Sequence, residues 1–143
     1  MATGHAEVIV VAHVIQQAVA PVFLLTGIGA FLSVLTSRLG RVIDRFRILD
    51  GISADFRSAG QTREMGVLHS RSRWIHLSIT LCTLCALLVC IVIAALFIGS
   101  ELGRDPSGTI AVLFIGAMFM LITGLLCFLR EIALATGTIS MDD

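Results

Sequence analysis

The sequence has little charge and contains no lysine. Only 14% of its 143 residues are charged, whereas an average soluble domain has about 25%. Hydrophobic residues make up 57% of the chain, and the mean hydropathy is +0.98. This composition excludes an ordinary soluble domain and predicts a membrane protein. Because lysine is absent, every fixed cation is an arginine, whose guanidinium group can bind carboxylate or phosphate oxygens bidentately.

Aspartate, glutamate, lysine and arginine are missing altogether from three long runs, residues 18–37, 74–99 and 110–129. About 20 residues at a rise of 1.5 Å per residue cross the roughly 30 Å hydrocarbon core of a bilayer. The predicted fold class is therefore all-α, an integral membrane protein with three transmembrane helices in a single membrane domain.

The region before the first span lacks the positive charge that begins an export signal, since it carries only His5 and Glu7. We therefore expect residues 6–17 to form an outer interfacial helix rather than a cleaved leader. Pro21 lacks the N–H that would bond back four residues, so a bend is predicted where this helix meets the first span.

The arginines are distributed unevenly: eight of the ten lie in residues 38–73, against one in residues 100–109. An excess of arginine in short loops marks the cytoplasmic side of a membrane. Residues 38–73 and the tail, residues 130–143, are therefore predicted to be cytoplasmic. Residues 100–109 then form an outer turn, and the amino terminus lies outside.

Residues 38–73 are predicted to form a helical hairpin whose two arms extend the first and second spans. The first arm has an apolar stripe with steps of three and four residues, the spacing of a packing seam. Its members are Leu35, Leu39, Val42, Phe46 and Leu49. This stripe can pack either on the second arm or on a neighbouring subunit. The adjacent arginines are expected to contact anionic lipid headgroups.

A second face of the first helix is polar at both ends and apolar between them. Its members are His13, Gln16, Gln17, Leu24, Gly27, Phe31, Arg38, Arg41 and Arg45. Repeated around an axis, this face predicts a homo-oligomeric pore or ion channel whose ring of arginines favours anions. The alternative is a non-conducting scaffold or accessory subunit whose hairpin binds a protein partner or anionic lipid. In the third span, Gly116 and Gly124 indicate a face for close helix contact.

Enzymatic chemistry is not predicted, because no span contains an acid–base pair and no Ser/His/Asp or zinc motif has the required spacing. Cys82 and Cys85 form a C-x-x-C pair, but they lie in hydrocarbon, where a thiolate is disfavoured, and they are expected to pack. His13 and His76 lie near opposite membrane surfaces and cannot together ligate haem. We expect no catalytic residue, metal or cofactor, and no nucleic-acid partner.

Two stretches, residues 20–32 and 35–47, carry a resemblance to a known family. The most specific part is the run Thr-x-Arg-Leu-x-Arg-x-x-Asp-Arg, residues 36–45. It resembles a family of small bacterial membrane proteins described as a domain of unknown function. The resemblance implies a protein of the bacterial cytoplasmic membrane with about three helices. It implies no activity and no catalytic residues.

Overall fold

Three long helices make up the computed structural model. They are α1 (Ala2–Asp50), α2 (Ala59–Leu102) and α3 (Ser107–Gly137). Each is long and apolar enough to cross a membrane, which confirms the predicted all-α class and the three membrane helices. The structure describes the backbone of residues 2–52, 58–102 and 107–137, and the side chains of residues 8–52, 58–102 and 107–136. No β-strand occurs in these ranges.

Two of the helices are much longer than a bilayer is thick. At 1.5 Å per residue, the 49 residues of α1 extend about 73 Å and the 44 residues of α2 about 66 Å, against roughly 30 Å of hydrocarbon. Residues 6–17 and the first span are both parts of α1, which continues through Pro21. We call residues 38–50 of α1 and 59–73 of α2 the arginine-rich end.

The turn between α1 and α2 has local hydrogen bonds at both of its edges. At the end of α1, the Gly51 amide donates to the Arg47 carbonyl at 3.0 Å. At the start of α2, the Ser58 amide donates to Gln61 Oε1 at 2.9 Å, and the Gln61 amide donates to Ser58 Oγ at 3.2 Å. This reciprocal capping box satisfies donors that a helix start leaves open. It explains why α2 begins at Ala59.

The carboxyl-terminal helix continues past the predicted end of the third span. Arg130 and Glu131 follow Leu129, and α3 runs on through them to Gly137. The two charges mark where the apolar run stops. They do not end the helix, because arginine and glutamate are both good helix formers.

Helix α2 is the central element, because it packs against both α1 and α3. In the ranges that the structure describes, no Cα atom of α1 lies within 8 Å of one of α3. Buried residues recur at seven-residue intervals, the repeat that winds helices into a left-handed supercoil. On α1 the repeat comprises Val14, Pro21, Ile28, Leu35, Val42 and Leu49. On α2 it comprises Leu68, Ile75, Cys82 and Val89, with Ser78, Cys85, Val92 and Gly99 beside them.

Helices α2 and α3 are in close contact at Gly124. A Cβ atom added there would lie 3.0 Å from Cys82 Sγ, and the Ser78 hydroxyl donates to the Gly124 carbonyl at 2.7 Å. The predicted contact at Gly124 is therefore present within one chain. Gly116 differs, since an added Cβ there would meet nothing within 4 Å. The seven-residue repeat places Ala117 in the seam, and Gly116 lies beside it.

The five predicted packing residues of α1 all lie on its side towards α2. Val42 and Leu49 are buried, and Leu39 and Phe46 are half-buried, in one cluster with Met65, Leu68 and Ile75 of α2. Leu35 is buried in a second cluster, with Cys82, Cys85 and Val89 of α2. Of the two alternatives open for this stripe, packing of the two arms on each other is the one present in the structure.

Candidate anion-binding site

The three helices are joined at one carboxylate, that of Glu131, whose side chain is 0% exposed. Arg38 of α1 donates from Nη1 to Oε2 at 3.2 Å. Arg71 of α2 donates from Nε and Nη2 to Oε1 at 3.1 and 2.8 Å. Both carboxylate oxygens therefore have charged donors, as a buried carboxylate requires. These long side chains connect α1 to α3 although the two backbones do not touch.

This ion-pair network occupies packing positions of the helical seams. Glu131 follows Gly124 of α3 by seven residues, and Arg71 precedes Ser78 of α2 by seven. A neighbouring aromatic pair, Phe31 and Phe128, packs edge to face with ring centroids 5.1 Å apart. The Arg38 guanidinium carbon lies 5.2 Å from the Phe128 ring centre, a cation–π distance. The Arg38 side chain is thus fixed by both a carboxylate and a ring.

A cleft of about 400 Å³ lies between α1 and α2, beside these ion pairs. Its lining consists of Arg38, Arg41, Val42, Arg45, Glu64, Leu68 and Arg71. We call it the arginine cleft. From Arg38 to Arg45 it follows α1 for about 10 Å. It therefore begins where the apolar run of α1 ends and extends into the arginine-rich end.

At the far end of the cleft, Arg45 and Glu64 form a bidentate pair. Arg45 Nε lies 2.7 Å from Glu64 Oε1, and Nη2 lies 3.1 Å from Oε2. The hydrogen bonds from Arg45 hold the pKa of Glu64 below its ordinary value, and those same bonds raise the pKa of Arg45. Glu64 therefore stays ionised at neutral pH, and the pair links the two arms across the cleft.

The charges around the cleft do not balance. Four guanidinium groups stand against the carboxylates of Glu64 and Glu131, which leaves two positive charges. Arg41 is exposed. Such a site can bind an anion through several charge-assisted hydrogen bonds. Among the described residues there is no group of three or more His, Cys, Asp or Glu side chains that could hold a metal ion.

A second cavity, of about 570 Å³, lies at the opposite end of the bundle. Its walls are mostly apolar, with Val14, Val92 and Phe114 among them, and Gln17 and Ser100 contribute polar groups. None of the described residues that line it is charged. The arginine cleft is therefore the better candidate for a site with chemical selectivity.

The structure places the nine residues predicted to line a pore in three different environments. The structure brings Arg38, Arg41 and Arg45 together in the arginine cleft. Leu24 and Phe31 pack against the core of their own chain. Four others are exposed on the opposite half of α1, where the side chains of His13 and Gln17 lie within hydrogen-bond distance, 3.1 Å. These four are His13, Gln16, Gln17 and Gly27.

Three residues of the site were not found from the sequence: Glu64, Arg71 and Glu131. Arg71 lies in the arginine-rich stretch of residues 38–73, but it reaches Glu131 and its side chain is only 24% exposed. Glu131 lies in the predicted tail, residues 130–143. One signal was available, since Ala117, Gly124 and Glu131 recur at intervals of seven and so share one helix face.

Comparisons with known proteins give one match. No curated protein and no solved structure matches the chain. The family model DUF2721, described as a protein of unknown function, matches residues 18–141. This range includes all three spans and every residue of the arginine cleft. The match confirms the resemblance seen in the sequence, and the chain belongs to the family DUF2721.

Proposed function

We propose that the protein is a non-conducting membrane scaffold or accessory subunit that binds the headgroup of an anionic lipid in the arginine cleft. One observation carries the proposal: four arginines from two helices converge on one cleft, and two of them are fixed by a buried carboxylate. Holding guanidinium groups in place before binding reduces the entropy lost when a ligand is bound.

The position of the cleft along the helices supports a lipid ligand. Arg38, Arg73 and Arg130 are the charged residues at the ends of the three apolar runs, all at the same end of the bundle. Lipid phosphates lie at this level of a membrane, and each arginine near an anionic surface gains about 1 kcal/mol. With the predicted orientation, the cleft faces the cytoplasmic leaflet of a bacterial inner membrane.

Packing within the chain favours a scaffold over a pore. Leu24 and Phe31, two of the residues predicted to line the pore, pack against the core of their own chain. Arg38 forms an ion pair with Glu131. A ring of subunits would need these side chains on its axis. Self-association remains part of the proposal, since the spans expose long apolar faces that suit a second copy as well as lipid.

Trp74 allows a direct test, because it is the only tryptophan and lies three residues after Arg71. Lipids with brominated acyl chains quench tryptophan fluorescence on contact. In reconstituted vesicles we expect brominated phosphatidylglycerol to quench Trp74 more strongly than brominated phosphatidylcholine at equal mole fraction.

Arg41→Gln should weaken this preference about fivefold, the equivalent of 1 kcal/mol. Arg73→Gln removes an arginine at the membrane surface outside the cleft, so it measures the attraction of the surface alone, and the loss in Arg41→Gln should exceed it. Equal quenching by the two lipids in the wild-type protein would refute the proposal.

Conduction by an oligomer is the second candidate function. The observation that favours it is the exposure of His13, Gln16, Gln17 and Gly27 along one half of α1, free to meet other subunits. Anion flux from sealed vesicles distinguishes the two functions. A scaffold leaves the vesicles tight, whereas a pore gives flux that changes in Gln17→Ala.

A further inference from the structure

We infer that the headgroup bound in the arginine cleft is a phosphate monoester, as in phosphatidate, rather than the phosphodiester of other anionic phospholipids. This inference rests on the proposed function and narrows its ligand class. The observations behind it are the net charge of the cleft, the donors that its arginines still have available, and its position at the end of the apolar runs.

Charge complementarity is the first step. The cleft has two positive charges in excess, from Arg38, Arg41, Arg45 and Arg71 less Glu64 and Glu131. A phosphate monoester carries about −1.5 to −2 at pH 7, since its second pKa is about 6. A phosphodiester carries a single negative charge. The monoester therefore neutralises the cleft, whereas a diester leaves a positive charge between two packed helices.

Donor count is the second step. A guanidinium group has five N–H donors. Arg71 uses Nε and Nη2 on Glu131, and Arg38 uses Nη1. Both side chains remain partly exposed, at 34% for Arg38 and 24% for Arg71, while Glu131 is fully covered. The remaining donors suit the three terminal oxygens of a monoester better than the two of a diester.

The same contacts give Glu131 a role as a positioning residue. It holds two arginines from different helices beside one cleft and does not itself line that cleft. A lipid is the source that the location favours over a soluble phosphate ester. The cleft starts at Arg38, directly after a charge-free run of α1, and two apolar side chains, Val42 and Leu68, line it with the arginines.

Trp74 quenching in vesicles tests the ligand class. Brominated phosphatidate and brominated phosphatidylglycerol are compared in phosphatidylcholine vesicles at equal surface charge and pH 7.5. We expect phosphatidate to bind about fivefold more tightly, because the second negative charge gains about 1 kcal/mol. The preference should disappear in Arg41→Gln, which changes an exposed side chain of the cleft, and persist in Arg73→Gln.

The Glu131→Gln variant separates positioning from charge. It adds one net positive charge to the site, so if charge alone mattered, both anionic lipids would bind more tightly and phosphatidate would keep its advantage. We expect the ratio of the phosphatidate affinity to the phosphatidylglycerol affinity to fall towards one, while the affinity for phosphatidylglycerol does not decrease. An unchanged preference would overturn the role given to Glu131.

Three outcomes distinguish this inference from the proposed function. Equal binding of phosphatidate and phosphatidylglycerol, both above phosphatidylcholine, overturns the inference and leaves the anionic-lipid scaffold standing. No preference for either anionic lipid overturns both. Displacement of brominated phosphatidate by millimolar glycerol phosphate, with no effect of glycerol alone, would show that a soluble phosphate ester binds and would overturn the assignment to a lipid.

Discussion

The α2–α3 contact in the spans and the α1–α2 contact at the arginine-rich end bury different kinds of side chain. Where α2 meets α3 in the spans, the buried residues are small, such as Ser78, Cys82 and Gly124, while Leu87 and Phe119 are 56% and 67% exposed. At the arginine-rich end large residues are buried, as on both arms at Val42, Leu49 and Leu68. The arginines there lie on the outside or in the cleft.

The difference follows from the solvent around each part. Lipid tails are as apolar as leucine, so burying a large side chain in a membrane gains little, and small residues allow close backbone packing instead. In water, burial of large apolar side chains is the main stabilising term. On α2 the change occurs between Ile75 and Ser78, next to Trp74. Trp74 is the first residue of the second predicted span, residues 74–99.

The largest loss of stability is expected from a change at Glu131, where the two parts meet. In Glu131→Ala, Arg38 and Arg71 lose their shared carboxylate in a half-buried place, and we expect a loss of about 3 kcal/mol in the free energy of unfolding. Unfolding in detergent micelles measures it. Glu101→Ala, at the other end of the bundle, is the control. A loss below about 1 kcal/mol would mean that the network does not hold α3 in place.

A smaller loss of stability is expected from overpacking inside the spans. In Gly124→Ala the new methyl group would meet Cys82 Sγ at 3.0 Å, and such overpacking costs about 1–3 kcal/mol. Gly116→Ala is a matched control on the same helix, with open space around it and a gain in helix propensity of up to about 1 kcal/mol. Because both substitutions gain the same helix propensity, Gly124→Ala should be less stable than Gly116→Ala by the cost of the overpacking. Equal shifts would contradict close α2–α3 packing at Gly124.

The smallest effect is expected at the Arg45–Glu64 pair, which is exposed to solvent. The folded-state pKa of Glu64 is below its ordinary value of 4.5. Its contribution to stability is therefore present above pH 4.5 and is lost as pH falls through the folded-state pKa. Unfolding of wild type and Glu64→Gln from pH 7 to pH 3 should show a difference that shrinks on acidification. A difference that grows towards low pH would contradict the assignment.

Much of the fold could be predicted from the sequence because charge is scarce. The charge-free runs locate three membrane helices, and the apolar stripe from Leu35 to Leu49 has the spacing of a packing seam. In the spans this reasoning fails, because apolar residues surround the helix on every side. The burial of Cys82 and the exposure of Leu87 are then indistinguishable by hydropathy. The capping box of Ser58 and Gln61 can be recognised in the sequence, because a serine followed three residues later by a glutamine is its pattern.

The sequence by itself determined that this chain is a three-helix membrane protein and that its arginines gather at one end. Length, hydropathy and charge are local properties, and a bilayer imposes its thickness on each helix separately. Only the tertiary structure decided which arginines work together. Glu131 lies far along the chain from Arg38 and Arg71, and α1 and α3 meet only through their side chains. The shared carboxylate and the cleft beside it exist because α2 packs against both neighbours in one register.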